Sequence, residues 1–300
     1  GFETIIGISA EHKTNFGDML DLVCSKFTYN TNEIIEEGIK IAVLGRPNAG
    51  KSSFVNKILN KDISIVSDIA GTTRDSIDSQ FRYNSKPYTI IDTAGIRKKS
   101  KLEDNIEYYS VLRAVKAIDR ADVCILMLDS TELVTEQDKR VAGLIFEAKK
   151  PIIIAINKWD LVEKTKTKDE FKREFFTRFN FLEYAEIVFV SCLENKKVHT
   201  IFPKIEQIYQ NAQREIPTST LNNILADITF KIPAKQFNNG QAKFNYCTQI
   251  KTFPTIFLLF VNNPQYGHFS YILHLSNEFR KYFDFSGVPL KFEVRKKGDA

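Results

Sequence analysis

Gly45-Arg46-Pro47-Asn48-Ala49-Gly50-Lys51-Ser52 has the spacing G-x-x-x-x-G-K-[ST]. It follows a short apolar run, Ile39 to Gly45, and precedes a stretch with helical spacing at Phe54, Val55, Ile58 and Leu59. A strand before and a helix after is the setting in which such a loop grips phosphate. The glycines let backbone amides wrap phosphate oxygens, and the helix N-terminus adds a favourable dipole. Lys51 would reach the β- and γ-phosphates, and the Ser52 hydroxyl would bind magnesium, with Ser53 closing the contact run.

A phosphate loop does not choose a base. Asn157-Lys158-Trp159-Asp160 does, because it ends a strand where nucleotide sites in parallel sheets form. The Asp160 carboxylate can accept two hydrogen bonds from guanine N1 and N2, a pair that adenine lacks. With ATP it would stay unpaired, at a cost of about 1–3 kcal/mol or more. Asp92-Thr93-Ala94-Gly95 ends another strand facing the same place. Asp92 would hold magnesium through water, and the Gly95 amide would meet the γ-phosphate. Within Gly71-Thr72-Thr73-Arg74-Asp75, Thr73 is chosen over Thr72 to put its hydroxyl on magnesium, so that ordering of this loop reports nucleotide state. Ser191-Cys192 ends the last strand of the series and would supply backbone contacts to guanine O6.

These residues need a scaffold that brings strand ends together. Strands are expected at Ile39–Gly45, Ile77–Tyr83, Tyr88–Asp92, Asp122–Asp129, Pro151–Lys158 and Glu186–Cys192, with helical stretches between most of them. Asn84-Ser85-Lys86 reads as a hairpin turn. Nearly continuous apolar strands alternating with helices predict an α/β fold with a mostly parallel sheet covered on both faces. At the start of the chain, a strand Thr4–Ser9 and a helix carrying Phe16, Met19, Leu20, Leu22 and Val23 cannot bury both faces alone. After Pro217 the order changes to α-β-β-α-β, an α+β pattern: a helix over Ser219–Ile228, a loop, strands over Phe244–Lys251 and Thr255–Val261, a helix over Phe269–Phe283 and a strand over Leu290–Arg295. In that last strand Leu290, Phe292 and Val294 alternate with Lys291, Glu293 and Arg295.

Length and composition narrow the field. The 300 residues are 43% hydrophobic and 26% charged, which excludes disordered and collagen-like chains and suits about two domains. Apolar runs are far shorter than the roughly 20 residues of a membrane span, so no membrane association is expected. Cys24, Cys124, Cys192 and Cys247 form no CxxC pair, which suits a reducing, cytoplasmic setting. The net charge of +5 lies wholly in residues 216–300, where ten Lys and Arg face five Asp and Glu. A basic domain beside a neutral one points to a polyanion, or to nothing more than a few extra lysines.

GRPNAGKS, GTTRD, DTAG, NKWD and VSC, in this order, resemble the five motifs of a translation-factor-type GTPase domain. The longer stretches DTAGIRKKSK, YYSVLRAVKAIDRADVCILMLD, TEQDKRVAGLIFEAKKPIIIAINKWDLVEK and REIPTSTLNNIL resemble the second GTPase domain of the bacterial ribosome-assembly GTPase family Der, also called EngA. That family has two tandem GTPase domains and a C-terminal KH-like domain. The resemblance therefore implies a remnant of a preceding GTPase domain over 1–37, a GTPase domain over 38–213 and a KH-like domain over 214–300. Ile6-Gly7-Ile8-Ser9-Ala10 and Asn15-Phe16-Gly17-Asp18 resemble the end of the first domain, which implies a fragment or a truncated form, or else a degenerate protein with one working site, with no nucleotide at Ser9 and Ala10. The family's S-A reads Ser191-Cys192 here, and the C-terminal region has no G-x-x-G clamp, a lack the family shares.

The resemblance also implies the function: a GTP-binding and GTP-hydrolysing switch assisting assembly of the large ribosomal subunit. Its partners would be GTP, GDP, the subunit and its rRNA, and the protein would act as a cytoplasmic monomer. GTP contacts would come from Gly45 to Ser53, Asp92 to Ile96, Asn157, Lys158, Asp160, Ser191 and Cys192. Lys51, Thr73 and Asn48 would be catalytic, with magnesium on Ser52, Thr73 and Asp92. Where many GTPases carry a water-orienting glutamine, this chain has Ile96, which can neither donate nor accept. In related GTPases with an apolar residue there, a P-loop asparagine coordinates potassium, and Asn48 matches it; the alternative is a loop residue bonding to its own backbone. Arg97-Lys98-Lys99-Ser100-Lys101 is either a solvated loop or an rRNA contact in the GTP state. The rival readings are an RNA-binding scaffold with little turnover and a tRNA-modification-type GTPase. His12, His199, His268 and His274 show no ligand spacing; Phe244, Phe257 and Phe260 fill a core or face RNA.

Overall fold

The computed structural model describes residues 6–9, 15–26, 38–59, 78–93, 106–132 and 134–296. The chain divides into two compact units, Gly1–Glu37 and Gly38–Ala300. In the first, the helix α1 (Phe16–Lys26) forms where the apolar spacing places it. Of the expected strand Thr4–Ser9, residues 6–9 are described, and only Ser9 among them makes a β-bridge.

The second unit opens with β1 (Ile39–Leu44), α2 (Lys51–Leu59), β2 (Ser79–Tyr83) and β3 (Lys86–Ile91). It continues through α3 (Ile106–Arg120), β4 (Val123–Asp129), α4 (Glu136–Glu147), β5 (Ile152–Asn157), α5 (Lys168–Arg178), β6 (Glu186–Phe189) and α6 (Ile201–Ala212). Six strands line up as β2-β3-β1-β4-β5-β6, with every pair parallel except β2 against β3. The expected mostly parallel sheet is thus present. Asn84 and Ser85 join β2 to β3 with φ of 49° and 64°, the two left-handed residues a type I′ hairpin turn needs.

The central strands β4 and β5 are buried at every position, which is why their sequences are continuous apolar runs. Alternate residues feed two cores. Ile41, Val43, Ile125, Met127 and Ile153 meet α2 and α6 on one face. Ala42, Leu44, Leu126, Ile154 and Ile156 meet α3, α4 and α5 on the other.

The C-terminal region follows as α7 (Thr218–Lys231), a short hairpin β7 (Gln236–Phe237) and β8 (Gly240–Gln241), then β9 (Phe244–Lys251), β10 (Ile256–Val261), α8 (Phe269–Tyr282) and β11 (Lys291–Lys296). The hairpin stands where the sequence predicts only a loop; two-residue strands are too short to leave an alternating pattern. The remaining order is the expected α-β-β-α-β. Its sheet runs β11-β10-β9, parallel on the β11 side and antiparallel on the β9 side.

The two sheets share one core. The face lined by α6 continues through Ile216, Leu221, Phe257, Phe279, Phe285 and Val288. Gly287 seals the junction: its amide donates to the Tyr184 carbonyl at 2.7 Å, and its carbonyl accepts from the Ile152 amide at 2.8 Å. Its φ is +74°, and a Cβ there would lie 2.4 Å from Ile208 Cδ1, so only glycine fits without strain. Arg280 stacks over the Tyr184 ring and donates to the carbonyls of Phe285 and Val288, both at 2.8 Å. Burial pushes its guanidinium down to about 10.

Candidate nucleotide site

β1 has β3 on one side and β4 on the other, so the strand order reverses about it. A crevice opens beyond the strand ends at such a point. The loop from β1 to α2 fills its mouth. Gly45 has φ +143°, and a Cβ there would lie 2.3 Å from the Met127 carbonyl; Gly50 has φ +99°, and its Cβ would lie 2.0 Å from Asn157 Nδ2. Both glycines are demanded by the loop's path. Asn48 sits at φ 65°, a left-handed position that asparagine tolerates better than most residues.

Lys51 starts α2 and folds back over the loop, with its Nζ donating to the carbonyls of Gly45 and Arg46 at 2.7 Å each. Burial pushes its ammonium down to about 8, against an upward pull from Asp138. An ammonium held by two neutral carbonyls in a partly dry place is ready for a stronger anion. Ala49 is buried, while Ser52 and Ser53 are exposed in the first turn of α2. Arg46 is paired with Glu132 and lies 3.6 Å from Asp138, which anchors the loop to the start of α4. Asp138 is 2% exposed and closes the α4 capping box with Thr135. Sequence reasoning missed both acids as supports of the loop; the T-x-x-D spacing before α4 was the available signal.

Asp92 follows β3, held at φ 57°, with its amide donating to Asp78 Oδ1 at 3.0 Å. The pairing of Ala42 with Ile91 sets this turn beside the phosphate loop. Thr93 is buried, with its hydroxyl 3.0 Å from that of Ser79. Thr73, Ala94, Gly95, Ile96 and the Arg97–Lys101 run lie outside the described residues.

On the other side, β5 ends in Asn157, whose side chain is a staple. Its Nδ2 donates to the Ala49 carbonyl at 3.0 Å, and its Oδ1 accepts from the Cys192 amide at 3.0 Å. Lys158 turns the chain at φ 59° and pairs with Asp129. Burial raises the Asp129 carboxyl, but hydrogen bonds from Lys158 and Thr131 outweigh it and hold the group below its usual value. Trp159 plugs the turn into the core against Phe171 and Phe189. Asp160 follows directly, and its Oδ1 is shielded from solvent with no hydrogen-bond partner. A buried carboxylate oxygen without a donor is costly unless a ligand supplies one. β6 stops at Phe189 rather than running to Cys192; Val190 still donates to Ile156, and Ser191 bridges to Lys196. Cys192 is 2% exposed, and burial pushes its thiol up to about 12. Phosphate loop, carboxylate turn and Ser191-Cys192 therefore share one end of the sheet.

This fold and this arrangement define a P-loop GTPase. The family described as 50S ribosome-binding GTPase matches residues 40–158, and the family described as KH-domain-like of EngA bacterial GTPase enzymes, C-terminal, matches residues 215–295. GTPase Der of Fusobacterium nucleatum is 48% identical over 99% of this chain and 68% of its own length. GTPase Der of Caldicellulosiruptor saccharolyticus is 46% identical over 100% of this chain and 69% of its own. The chain belongs to the GTPase Der family. Among solved structures, a variant of Aquifex aeolicus Era bound to GDP and AlF4− is 22% identical, covering 86% of this chain and 92% of that one with a TM-score of 0.43. Among the described residues, no helix is long and apolar enough to cross a membrane.

Proposed function

We propose that this GTPase holds GTP between the Gly45–Ser53 loop and the Asp160 turn and acts as a switch in assembly of the large ribosomal subunit. The observation that carries the base assignment is the unpartnered Asp160 Oδ1, which guanine N1 and N2 donors would satisfy. The family matches over residues 40–158 and 215–295 support the ribosomal role. In this reading the GTPase domain spans 38–213 and the KH-like domain 214–300, and the protein works as a cytoplasmic monomer.

Lys51 would exchange two carbonyl partners for the β- and γ-phosphates, gaining charge-assisted bonds. The exposed Ser52 hydroxyl and the Asp92 carboxylate are hard oxygen donors at neighbouring loop mouths, a set that suits magnesium; Thr73 would complete it. Magnesium would neutralise phosphate charge, and potassium at Asn48 would offset the charge that builds during cleavage. The Asn157 staple would keep phosphate and base contacts in register.

Calorimetry with GTP and ATP tests the site: binding is expected for GTP, and equal heats would overturn the base assignment. Co-sedimentation with large ribosomal subunits under a non-hydrolysable GTP analogue and under GDP tests the role. Equal, negligible pelleting in both states would remove it.

A further inference from the structure

Asp78 directly precedes β2, and its carboxylate ties that strand to the Asp92 turn and to α3. Its Oδ1 accepts from the Asp92 amide at 3.0 Å. Its Oδ2 pairs with Arg120, the last residue of α3. Asp92 follows β3 and Arg120 comes shortly before β4, so the excursion between those strands is closed at its base by one side chain. The neighbouring residues repeat the tie, with the Ser79 and Thr93 hydroxyls 3.0 Å apart. The turn held in this way has Asp92 at φ 57°, a left-handed position that few residues other than glycine, asparagine and aspartate occupy. Such a conformation persists where its surroundings dictate it, and positions of this kind gather at functional sites.

We infer that Asp78 is a positioning residue for magnesium: it fixes the backbone that carries the Asp92 carboxylate. The inference rests on the reading that Asp92 holds the ion, and it adds what keeps that ligand in place. Asp78 is not a ligand itself, because both of its oxygens are engaged, one by an amide and one by a guanidinium. An ionised acceptor grips a backbone amide more firmly than a neutral one does. Arg120 offsets the charge of Asp78, so the amide is held without a bare second anion beside the ligand. Groups that hold a metal ligand from behind set metal affinity nearly as strongly as the ligands themselves. A tie that served only the β2–β3 hairpin would act on stability and leave the response to magnesium alone.

The test uses the full chain, a mant-labelled non-hydrolysable GTP analogue, and magnesium chloride added back after EDTA. Wild-type chain is expected to retain the analogue more firmly as magnesium rises. Asp78→Ala should raise the magnesium concentration for half-maximal retention by about 10- to 100-fold, with retention in EDTA unchanged. Asp78→Asn should stay close to wild type, because its side-chain oxygen can still accept from the Asp92 amide. Asp92→Ala should shift the half-point too, and adding Asp78→Ala to it should shift it no further, since one residue acts through the other. Should Asp78→Ala fail to give a cooperative thermal melt, Asp78→Glu takes its place: it keeps the charge, moves the acceptor by one methylene, and should shift the half-point in the same direction. An unmoved half-point in the Ala or Glu variant, an equal shift in Asp78→Asn, a matching loss of retention in EDTA, or additive shifts in the double variant would overturn the assignment. Failure of the metal reading is distinct: wild-type chain would then retain the analogue equally with and without magnesium.

Discussion

The two ends of the six-stranded sheet are built on opposite terms. At the nucleotide end, Gly45, Asn48, Gly50, Asp92 and Lys158 all adopt positive φ, Lys51 rests on neutral carbonyls, and an Asp160 oxygen has no donor. At the far end, where the C-terminal region docks, Gly287 completes two backbone bonds and Arg280 two more. Asp284 is pulled below its usual carboxylate value there; burial opposes this, and hydrogen bonds from Ser286 and Gln207 outweigh it. One end keeps its bonding capacity open for a ligand. The other commits most of its own to backbone bonds, with the Tyr184 hydroxyl left buried and unpartnered, and becomes a fixed joint. Neither a positive φ nor an unmet polar group marks chemistry by itself, since Gly287 has φ +74° and the buried Tyr184 hydroxyl lacks a partner at the joint; at the nucleotide end the two features converge on one crevice.

The largest effect that would break this contrast lies at the open end. Lys51→Ala should lower GTP turnover by about 100- to 1000-fold, comparable to losing a single transition-state donor, and a phosphate-release assay reads it. Near-normal turnover would remove the open end from the chemistry. Gly287→Val probes the closed end, where positive φ and the Ile208 contact both penalise a side chain. It should cost about 2–4 kcal/mol of stability in urea melts and leave GTP affinity intact. A fall in GTP affinity without loss of stability would mean that the joint is not separate from the site. The third test sharpens the open end by pH. With its pKa near 8 in the free site, Lys51 is charged below that pH and phosphate binding raises the value further. GTP affinity should be flat up to about pH 8 and then fall by up to about tenfold per pH unit. A flat profile to pH 9.5 would show that Lys51 stays fully charged without ligand. The smallest effect concerns Asn48: potassium should speed hydrolysis several-fold over sodium, and Asn48→Ala should erase the difference. Equal rates in both salts would assign Asn48 only to its left-handed turn.

The open end was more legible in sequence than the closed one. Phosphate loops require glycine where φ is positive and lysine at a fixed offset, so Gly45, Gly50 and Lys51 leave a local signature. The parallel sheet was readable because β4 and β5, buried on both faces, are apolar up to the polar residues Asp129 and Asn157 that end them. Supports that act across the chain leave no such pattern. Arg46 meets Glu132 and Asp138 from 86 and more residues away, and Asn157 reaches Ala49 across 108. Gly287 resembles any loop glycine until Ile208 and Ile152 are beside it. The β7–β8 hairpin escaped because two residues cannot display a period of two.

Asn157 carries a consequence for ligand choice. Gripping Ala49 with one amide atom and Cys192 with the other, it would act, in the proposed reading, as a spacer bar between the polyphosphate seat and the purine seat. Neither seat can drift without straining the bar. A nucleotide analogue with one extra methylene between sugar and phosphate would then forfeit one anchorage or the other, so the pocket would gauge length as well as chemistry.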